Sequence, residues 1–476
     1  MIQHAIYGAE AALSLIAVKS RRALPMHAAA IMHRYYPDLA GRTVPRYTSY
    51  PTAAAFKPLP DAHAAALASV ADDTPVSLYL HIPYCHEICW YCGCNTGALG
   101  RPARMDSYLA ALEGEIARVG SMLRAPVGSV HFGGGSPNAM SPTAFLALSA
   151  TLRRHFAIAA DAEWAVEIDP RHFTQETAQS YAAAGVSRLS IGAQTFSPQV
   201  QARIGRLQPW RQIAQTMADA RRAGIARFNL DLMYGLPGQT LDDIAATLSA
   251  AFLLAPDRVA MFGYAHMPQL LPRQRRIDDT LLPDAEARFW QSALAHDLLI
   301  GAGFEAIGFD HFARAEDSLA RAARDGTLRR NFQGFTDDRA TTLIGLGASA
   351  ISQFDGLFLQ NEKHVGSYRV GAANGLLMGS RGLLRTPEDR MRGALIERLL
   401  CTGRVDVAEV AAEHGQSSRA VIGDMDRLAE FAERGLVLTR GTTVTISPVG
   451  RPYARLVASA FDTALQAREA RFSTAV

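Results

Sequence analysis

The sequence predicts an α/β fold: a partial (β/α)6 TIM-like barrel with an N-terminal extension and a small, mostly helical C-terminal domain. Three observations lead to this prediction. Six short apolar or alternating runs recur from about residue 76, a long Ala-, Leu- and Arg-rich stretch follows each run, and polar residues cluster where the runs end. Strand–helix alternation builds a parallel sheet through right-handed crossovers, and chemistry in such folds gathers at the carboxyl ends of the strands.

Turn residues bound each of the six units, and each helical stretch is long enough for several turns. The predicted strands are Val76–Ile82, Val127–Phe132, Ala162–Ile168, Arg188–Ile191, Arg227–Met233 and Arg258–Tyr264. The predicted helices are Met105–Leu123, Pro142–Phe156, Gln175–Ala184, Pro209–Ala223, Leu241–Leu254 and Pro283–Gly301. Six units are about what a partial or full barrel needs.

The chain divides into four predicted segments. These are an extension of unknown role at 1–34, an N-terminal strip at 35–75, the barrel and its extension at 76–385, and the C-terminal domain at 386–476. In the last segment, helices followed by an alternating pair are typical of a winged-helix-like domain. Its predicted elements are helices at 387–401, 406–414 and 417–434 and strands at Leu436–Thr439 and Thr443–Ser447.

Composition and charge exclude several classes of protein. The 476 residues are 49% hydrophobic and 20% charged, which supports a sizeable core and excludes a largely disordered chain. A net charge of +3 is too small to indicate a nucleic-acid or membrane-surface binder. Between Glu388 and Arg455, ten arginines balance ten acids, so the C-terminal domain is expected to pack against protein and not to bind DNA.

The N-terminal residues do not read as a signal peptide. Lys19 and Arg21 follow the apolar run instead of preceding it, and no run approaches about 20 unbroken apolar residues. Neither a membrane span nor secretion is predicted. We therefore expect a cytoplasmic protein.

Four of the five cysteines lie within ten residues, in the loop that follows the first predicted strand. Cys85, Cys89, Cys92 and Cys94 have the spacing C-x3-C-x2-C-x-C. Structural zinc sites usually pair two C-x2-C knuckles from separate turns, whereas three thiolates in one tight loop suit three corners of an iron–sulfur cube. The spacing favours iron–sulfur over zinc, with one iron left open for chemistry.

The motif C-x3-C-x2-C resembles the signature of the radical S-adenosylmethionine (radical SAM) superfamily. The chain also resembles the oxygen-independent coproporphyrinogen III oxidase family within it, from about residue 35 to the C-terminus. This resemblance rests on motifs that occur in the expected order: Pro45–Ala53, His81–Pro83, Gly93–Asn95, Gly133–Pro137, Val166–Arg171, Asn229–Pro237, Tyr264–His266, Asp310–Arg314 and Asn331–Phe335.

The resemblance implies a radical SAM barrel, a 4Fe–4S cluster and two S-adenosylmethionine molecules. The implied cluster ligands are Cys85, Cys89 and Cys92, while Cys94 matches a cysteine that is not a ligand. Positions that match contacts to the first S-adenosylmethionine are Tyr79, Gly134, Glu167 and Ile351. Positions that match contacts to the second are Tyr91, Gly135, Ser136, Gln194, Arg206, Asp231 and Ala265.

The implied reaction is the oxidative decarboxylation of two propionates of coproporphyrinogen III to vinyl groups, which gives protoporphyrinogen IX in anaerobic haem biosynthesis. A substrate with four carboxylates on an apolar disc calls for arginines, and Arg46 and Arg314 are the candidates. Other expected partners are an electron donor such as flavodoxin or ferredoxin and an unidentified electron acceptor. The protein is expected to be a monomer.

Two related activities are the alternatives. Haem chaperones derived from this family keep the three cysteines but typically lack the fourth, the strip motif and the Asn-Phe-Gln-Gly segment; this chain has all three. A radical SAM methyltransferase is the other alternative, against which the strip and the C-terminal domain count. The chain departs from the family pattern at three positions: Ser136 for threonine, Thr195 for an acid and Gly205 for asparagine.

Overall fold

The computed structural model of the protein describes residues 33–465 and residue 474. The predicted extension at 1–34 thus lies outside the described residues, apart from its last two. The strip carries three short elements: α1 (Pro37–Ala40), β1 (Lys57–Pro58) and α2 (Ala62–Ala68).

The barrel region alternates strands and helices as expected. Its elements are β2 (Val76–Ile82), β3 (Tyr84–Cys85), β4 (Gly97–Ala98), α3 (Pro102–Gly120), β5 (Val127–Gly134), α4 (Pro142–His155), β6 (Ile158–Ile168), α5 (Gln175–Ala184), β7 (Arg188–Gln194), α6 (Pro198–Arg203), α7 (Trp210–Ala223), β8 (Arg227–Tyr234), α8 (Leu241–Phe252), β9 (Arg258–Gly263) and α9 (Ala285–Gly301). Strands β2 and β5 to β9 are neighbours in chain order and pair in parallel, which confirms the predicted six-unit sheet.

The barrel extension adds strands that the sequence did not predict. Its elements are β10 (Phe304–Ile307), β11 (His311–Arg314), α10 (Ser318–Arg324), β12 (Arg329–Asn331), β13 (Gly334–Thr336), β14 (Thr342–Leu346), β15 (Ile351–Phe354), β16 (Leu357–Asn361), α11 (Val365–Ala373) and β17 (Gly379–Leu384). Strand β14 pairs in parallel with β2, so the apolar Gly-rich segment at 343–351 begins as a seventh parallel strand. The whole sheet has 13 strands, and its end strands β1 and β10 do not pair with each other among the described residues, so the barrel is partial.

Alternating burial along the strands divides the sheet into two faces. In β7, Leu189 and Ile191 are fully buried against the helices, while Ser190 and Gln194 point to the other side. Parallel strands covered on both faces are usually apolar throughout. The polar alternation here indicates that the inner face surrounds an open, polar lumen.

The C-terminal segment is helical with a small sheet. Its elements are α12 (Pro387–Thr402), β18 (Arg404–Asp406), α13 (Val407–Glu413), α14 (Arg419–Ile422), α15 (Ala429–Glu433), β19 (Val437–Arg440), β20 (Thr443–Ile446) and α16 (Ala454–Ser459). The single helix predicted at 417–434 is wrong: a 3-10 turn at Gly423–Leu428 interrupts it. There Asp424 turns inward to pair with the buried Arg392, 2.5 Å away.

A second hydrophobic core joins the C-terminal segment to the rest of the molecule. Leu395 and Leu399 of α12 pack in one cluster with Tyr47 of the strip and Phe289 of α9. The C-terminal segment thereby holds the strip against the barrel. None of the described helices has the length and apolarity needed to cross a bilayer.

Candidate active site

One cavity of about 460 Å³ opens at the carboxyl ends of the parallel strands. All four clustered cysteines line it, together with nine of the eleven predicted cofactor-binding residues: Tyr91, Gly134, Gly135, Ser136, Glu167, Gln194, Arg206, Asp231 and Ala265. The other two, Tyr79 and Ile351, lie outside its lining. We refer to it below as the cysteine-loop cavity.

Hydrogen bonds from three directions fix the loop at 85–95 over this cavity. The ring nitrogen Nε2 of His81 lies 3.0 Å from the carbonyl oxygen of Asn95, and the N–H of Trp90 donates to the carbonyl of Ile204 at 3.1 Å. Gln274 donates through Nε2 to the carbonyl of Tyr91 at 2.9 Å. The cysteine loop is therefore held by contacts with β2, with the segment after α6 and with the loop after β9.

The spacing of the thiols does not suit a tetrahedral zinc ion. Four sulfurs around zinc lie about 3.8 Å apart, as follows from a Zn–S bond of about 2.3 Å. Among the described residues, no three of these thiol sulfurs lie within 4.8 Å of one another. An iron–sulfur cube spreads its ligands more widely and needs thiolate donors only, which this loop supplies. The residues present fit the cluster better than the zinc ion.

Two arginines lie beside the Cys89 sulfur. Nη1 of Arg206 is 3.3 Å and Nη2 of Arg171 is 3.5 Å from it. Both guanidinium groups also contact the buried Asp169, and they overcome the effect of burial to lower the pKa of that carboxyl to about 2. Arg206 further donates to the carbonyl of Gly192 at 2.7 Å, so its guanidinium group is engaged by the protein itself.

The glycine-rich turn after β5 faces Glu167, at the end of β6. The N–H of Gly134 donates to the Glu167 carboxylate at 3.2 Å. Gly134 has φ +106°, and a Cβ there would lie 2.5 Å from the His81 ring, so a side chain has no room. Burial would raise the pKa of Glu167, but its hydrogen bond to His131 at 3.1 Å and the Gly134 N–H hold it below its ordinary value.

Tyr79 connects to this same group of residues, although it does not line the cavity. Its ring stacks on that of His131, with centroids 5.8 Å apart, and its hydroxyl lies 3.1 Å from Nδ1 of His81. Because His131 in turn contacts Glu167, Tyr79 supports the carboxylate indirectly.

Asp231, on β8, is a second carboxylate, and its pKa is raised where that of Glu167 is lowered. It accepts hydrogen bonds from Ser190 at 3.0 Å and Asn229 at 2.8 Å. Burial and the negative charge of Glu167 nevertheless raise its pKa to about 6. The two carboxylates therefore differ in charge between about pH 5 and 6, with Glu167 ionised and Asp231 increasingly protonated.

The structure explains two of the departures from the family pattern. Gly205 has φ +64°, and a Cβ at that position would lie 2.6 Å from the indole of Trp90. Thr195 is fully buried, with its hydroxyl 3.2 Å from that of Thr247. An acid at Thr195 would place a charge in this dry contact, which is costly without a cationic partner.

Of the two arginines predicted to bind carboxylates, only one reaches the cavity. Arg46 of the strip lines it and donates to the carbonyl of Gly263 at 2.6 Å. Arg314 instead donates to the carbonyl of Ala302 and lies over the Phe304 ring, 3.8 Å from its centroid. Of the two arginines, Arg46 therefore remains the candidate for binding a substrate carboxylate.

Sequence reasoning missed several residues of this site. Arg171 lies within one of the family motifs, but its contact with Cys89, 82 residues away in the chain, depends on tertiary packing. His131 could have been found from the polar alternation of β5. Arg273 and Gln274, which donate to backbone carbonyls at Thr96 and Tyr91, lie in a loop with no sequence signal.

The fold and this cavity define a class of protein, the radical SAM enzymes, since residues 79–251 match the family model described as the radical SAM superfamily. Members of that superfamily use a 4Fe–4S cluster and S-adenosylmethionine. Residues 386–453 match the HemN C-terminal domain.

Whole-chain comparisons narrow the class further. The chain is 41% identical over 437 residues to oxygen-independent coproporphyrinogen III oxidase of Bradyrhizobium diazoefficiens, covering 91% of this chain and 97% of that one. It is 37% identical over 447 residues to the Escherichia coli protein of that name, covering 91% and 96%. The solved structure of coproporphyrinogen III oxidase from Escherichia coli, a radical SAM enzyme, superposes with a TM-score of 0.84 at 35% identity, covering 89% of this chain and all of that one. The chain belongs to the oxygen-independent coproporphyrinogen III oxidase family.

Proposed function

We propose that this protein decarboxylates two propionate side chains of coproporphyrinogen III to vinyl groups, with Cys85, Cys89 and Cys92 as the cluster ligands. The observation that carries the proposal is the single cavity in which the cysteine loop, the glycine-rich turn, both carboxylates and Arg46 meet. When bound, the reduced cluster and S-adenosylmethionine supply a radical that removes a hydrogen atom from the β-carbon of a propionate.

The chain's own residues bind and orient the reactants. Glu167, whose pKa lies below its ordinary value, is ionised at neutral pH and can accept an ammonium group. The lack of side chains at Gly134 and Gly135 lets a ligand approach the backbone closely. Arg46 can pair with a substrate carboxylate, while Phe262 and Leu271 offer apolar walls to the ring.

A second S-adenosylmethionine molecule is part of the proposal. The residues assigned to it line the same cavity, and one of them, Gln194, has φ +61°. A non-glycine residue in this conformation is uncommon and often marks a functional position. Asp231 is ionised above about pH 6 and can accept from hydroxyl groups there.

The loop after β9 restricts water at the open edge of the cavity. Arg273 donates to the carbonyl of Thr96 at 2.7 Å, and Gln274 donates to the carbonyls of Tyr91 and Ala265 at 2.9 and 3.1 Å. These bonds tie the cysteine loop to the segment that follows β9, the sixth parallel strand of the barrel. Closure of this kind protects reactive intermediates from side reactions.

We also propose that the protein works in the cytoplasm as a monomer, with a reduced flavodoxin or ferredoxin as electron donor. Thiolate ligands and an oxygen-sensitive cluster require a reducing compartment, which supports the proposed location in the cytoplasm. The electron acceptor is not assigned.

The test is anaerobic reconstitution with iron, sulfide, S-adenosylmethionine, a reductant and coproporphyrinogen III. We expect protoporphyrinogen IX together with 5′-deoxyadenosine. Stoichiometric haem binding without decarboxylation would indicate a chaperone, and a methylated product would indicate a methyltransferase.

Serine variants of the four cysteines test the ligand assignment. Cys85→Ser, Cys89→Ser and Cys92→Ser should each lose the cluster's visible absorbance and most of the bound iron, because serine is a poor ligand for this cluster. Cys94→Ser is the matched control and should retain both. Iron loss in Cys94→Ser with retention in one of the others would reassign the ligands.

A further inference from the structure

A second large cavity, of about 420 Å³, lies between the strip, the barrel extension and the C-terminal helices. It shares no lining residue with the cysteine-loop cavity. Its walls carry more cations than anions, namely Arg329, Arg330, Arg385, Arg390 and Arg398 against Asp355 and Glu397. We call it the arginine cavity.

Three of these arginines have carboxylate partners. Arg329 pairs with Glu397 at 2.8 Å and Arg390 with Asp355 at 3.5 Å, while Arg398 pairs with Glu413. The excess positive charge therefore resides on the other two arginines, Arg330 and Arg385.

Arg330 is buried without a carboxylate partner. It is 8% exposed and lies against the rings of Phe309 and Phe335, at 4.9 and 4.3 Å. Its Nε and Nη2 donate to the carbonyls of Tyr47 and Arg46, and its Nη1 has no hydrogen-bond partner among the described residues. Burial lowers the pKa of this guanidinium group. A buried charge left in this state is costly, and an anion in the cavity would offset the cost.

Arg385, a half-buried residue of the same lining, is also incompletely satisfied. It lies 4.7 Å from the centroid of Phe358, donates only to the backbone carbonyl of Asp355 at 3.4 Å, and its buried Nε has no partner in the described part of the chain. Phe354 and Tyr50 add further rings to the lining. Two incompletely satisfied guanidinium groups, in a lining whose rings are Tyr50, Phe354 and Phe358 together with Tyr47, suit a flat apolar ligand that carries carboxylates.

We propose that the arginine cavity is a second binding site for a tetrapyrrole, recognised by its planar ring and at least two carboxylates. The choice of a tetrapyrrole rests on the proposed function, because substrate and product are the molecules of this chemistry that the enzyme meets. The strip joins the two cavities. Arg330 holds the backbone of Arg46, whose side chain lines the cysteine-loop cavity.

Anaerobic equilibrium dialysis against coproporphyrin III, the oxidised and unreactive form of the substrate, tests this site. Cluster-loaded enzyme with S-adenosylmethionine should bind about two equivalents per chain, and Arg385→Gln should bind about one. Arg118→Gln, an exposed arginine on α3 outside both cavities, is the matched control and should bind two. Two equivalents retained by Arg385→Gln would overturn the proposal.

Two further arms separate this inference from the proposed function and check the ligand class. Arg46→Gln should lose the equivalent in the cysteine-loop cavity and keep the other. If the wild type binds a single equivalent that Arg385→Gln removes and Arg46→Gln does not, the substrate pocket is misassigned and the arginine cavity stands. If the single equivalent depends only on Arg46, the arginine cavity falls. Citrate should not displace the second equivalent; displacement would overturn the requirement for a planar ring.

Discussion

Trp90 and Gly205 show how one position can depend on another far away in sequence. The indole occupies the space of a side chain at residue 205, and Arg276 covers its ring at 4.6 Å. The main-chain N–H of Trp90 also donates a hydrogen bond to the carbonyl of Ile204. The glycine that departs from the family pattern is thus a packing requirement of the cysteine loop.

Gly205→Asn should therefore destabilise the loop and the cluster. Asparagine tolerates positive φ, so the damage comes from contact with Trp90, at a cost of about 1–3 kcal/mol. We expect a lower melting temperature and less bound iron per chain. Gly441→Asn is the control, with φ +59° and open space around its Cβ position. Adding Trp90→Ala should restore part of the iron content; unchanged iron in Gly205→Asn alone would contradict the account.

At the scale of elements, the predictions succeeded where a pattern repeats. Strand β2 and helix α5 have the predicted bounds, and the other strands and helices of the six units differ by at most four residues. The seventh parallel strand, β14, was missed because no long helix precedes it and glycines interrupt its apolar run. The kink in the C-terminal helix was missed because the pairing of Arg392 with Asp424 depends on tertiary structure.

Helix α3 is joined to the barrel extension by the buried carboxylate of Glu115. It accepts hydrogen bonds from the N–H of Gly347 at 2.7 Å, from Asn361 at 2.7 Å and from the hydroxyl of Tyr368 at 2.6 Å. Burial outweighs these bonds and raises the pKa of Glu115 to about 7. The folded protein thus binds this proton more tightly than the unfolded chain does.

The contribution of Glu115 to the free energy of unfolding should therefore fall as pH rises from about 5 to 7 and level off above that. That contribution changes by at most about 3.4 kcal/mol, because the pKa rises from an ordinary value of 4.5 to about 7. Between pH 5 and 8, the melting temperature of Glu115→Gln measured relative to that of the wild type should rise with pH, because the variant lacks this contribution. Glu113→Gln, on the same helix, should keep the wild-type slope. Parallel curves for all three proteins would contradict this role of Glu115.

At the scale of the whole molecule, the sequence predicted which strand ends meet at the candidate site because parallel strands bring their carboxyl ends to one edge. Nine of eleven predicted residues line one cavity for this reason. Tyr79 and Ile351 do not line it: Tyr79 lies in the middle of β2, against His131 and His81, and Ile351 begins β15, which runs antiparallel to β14. The arginine cavity had no sequence signal, because strip, extension and C-terminal helices meet only in the folded chain.

The central claim is that the cysteine-loop cavity directs hydrogen removal from the substrate propionates. The most direct measurement uses coproporphyrinogen III deuterated at the propionate β-carbons, followed by mass spectrometry of both products. We predict deuterium in 5′-deoxyadenosine, about one atom for each vinyl group formed. Vinyl groups accompanied by unlabelled 5′-deoxyadenosine, or label transfer without any vinyl product, would contradict it.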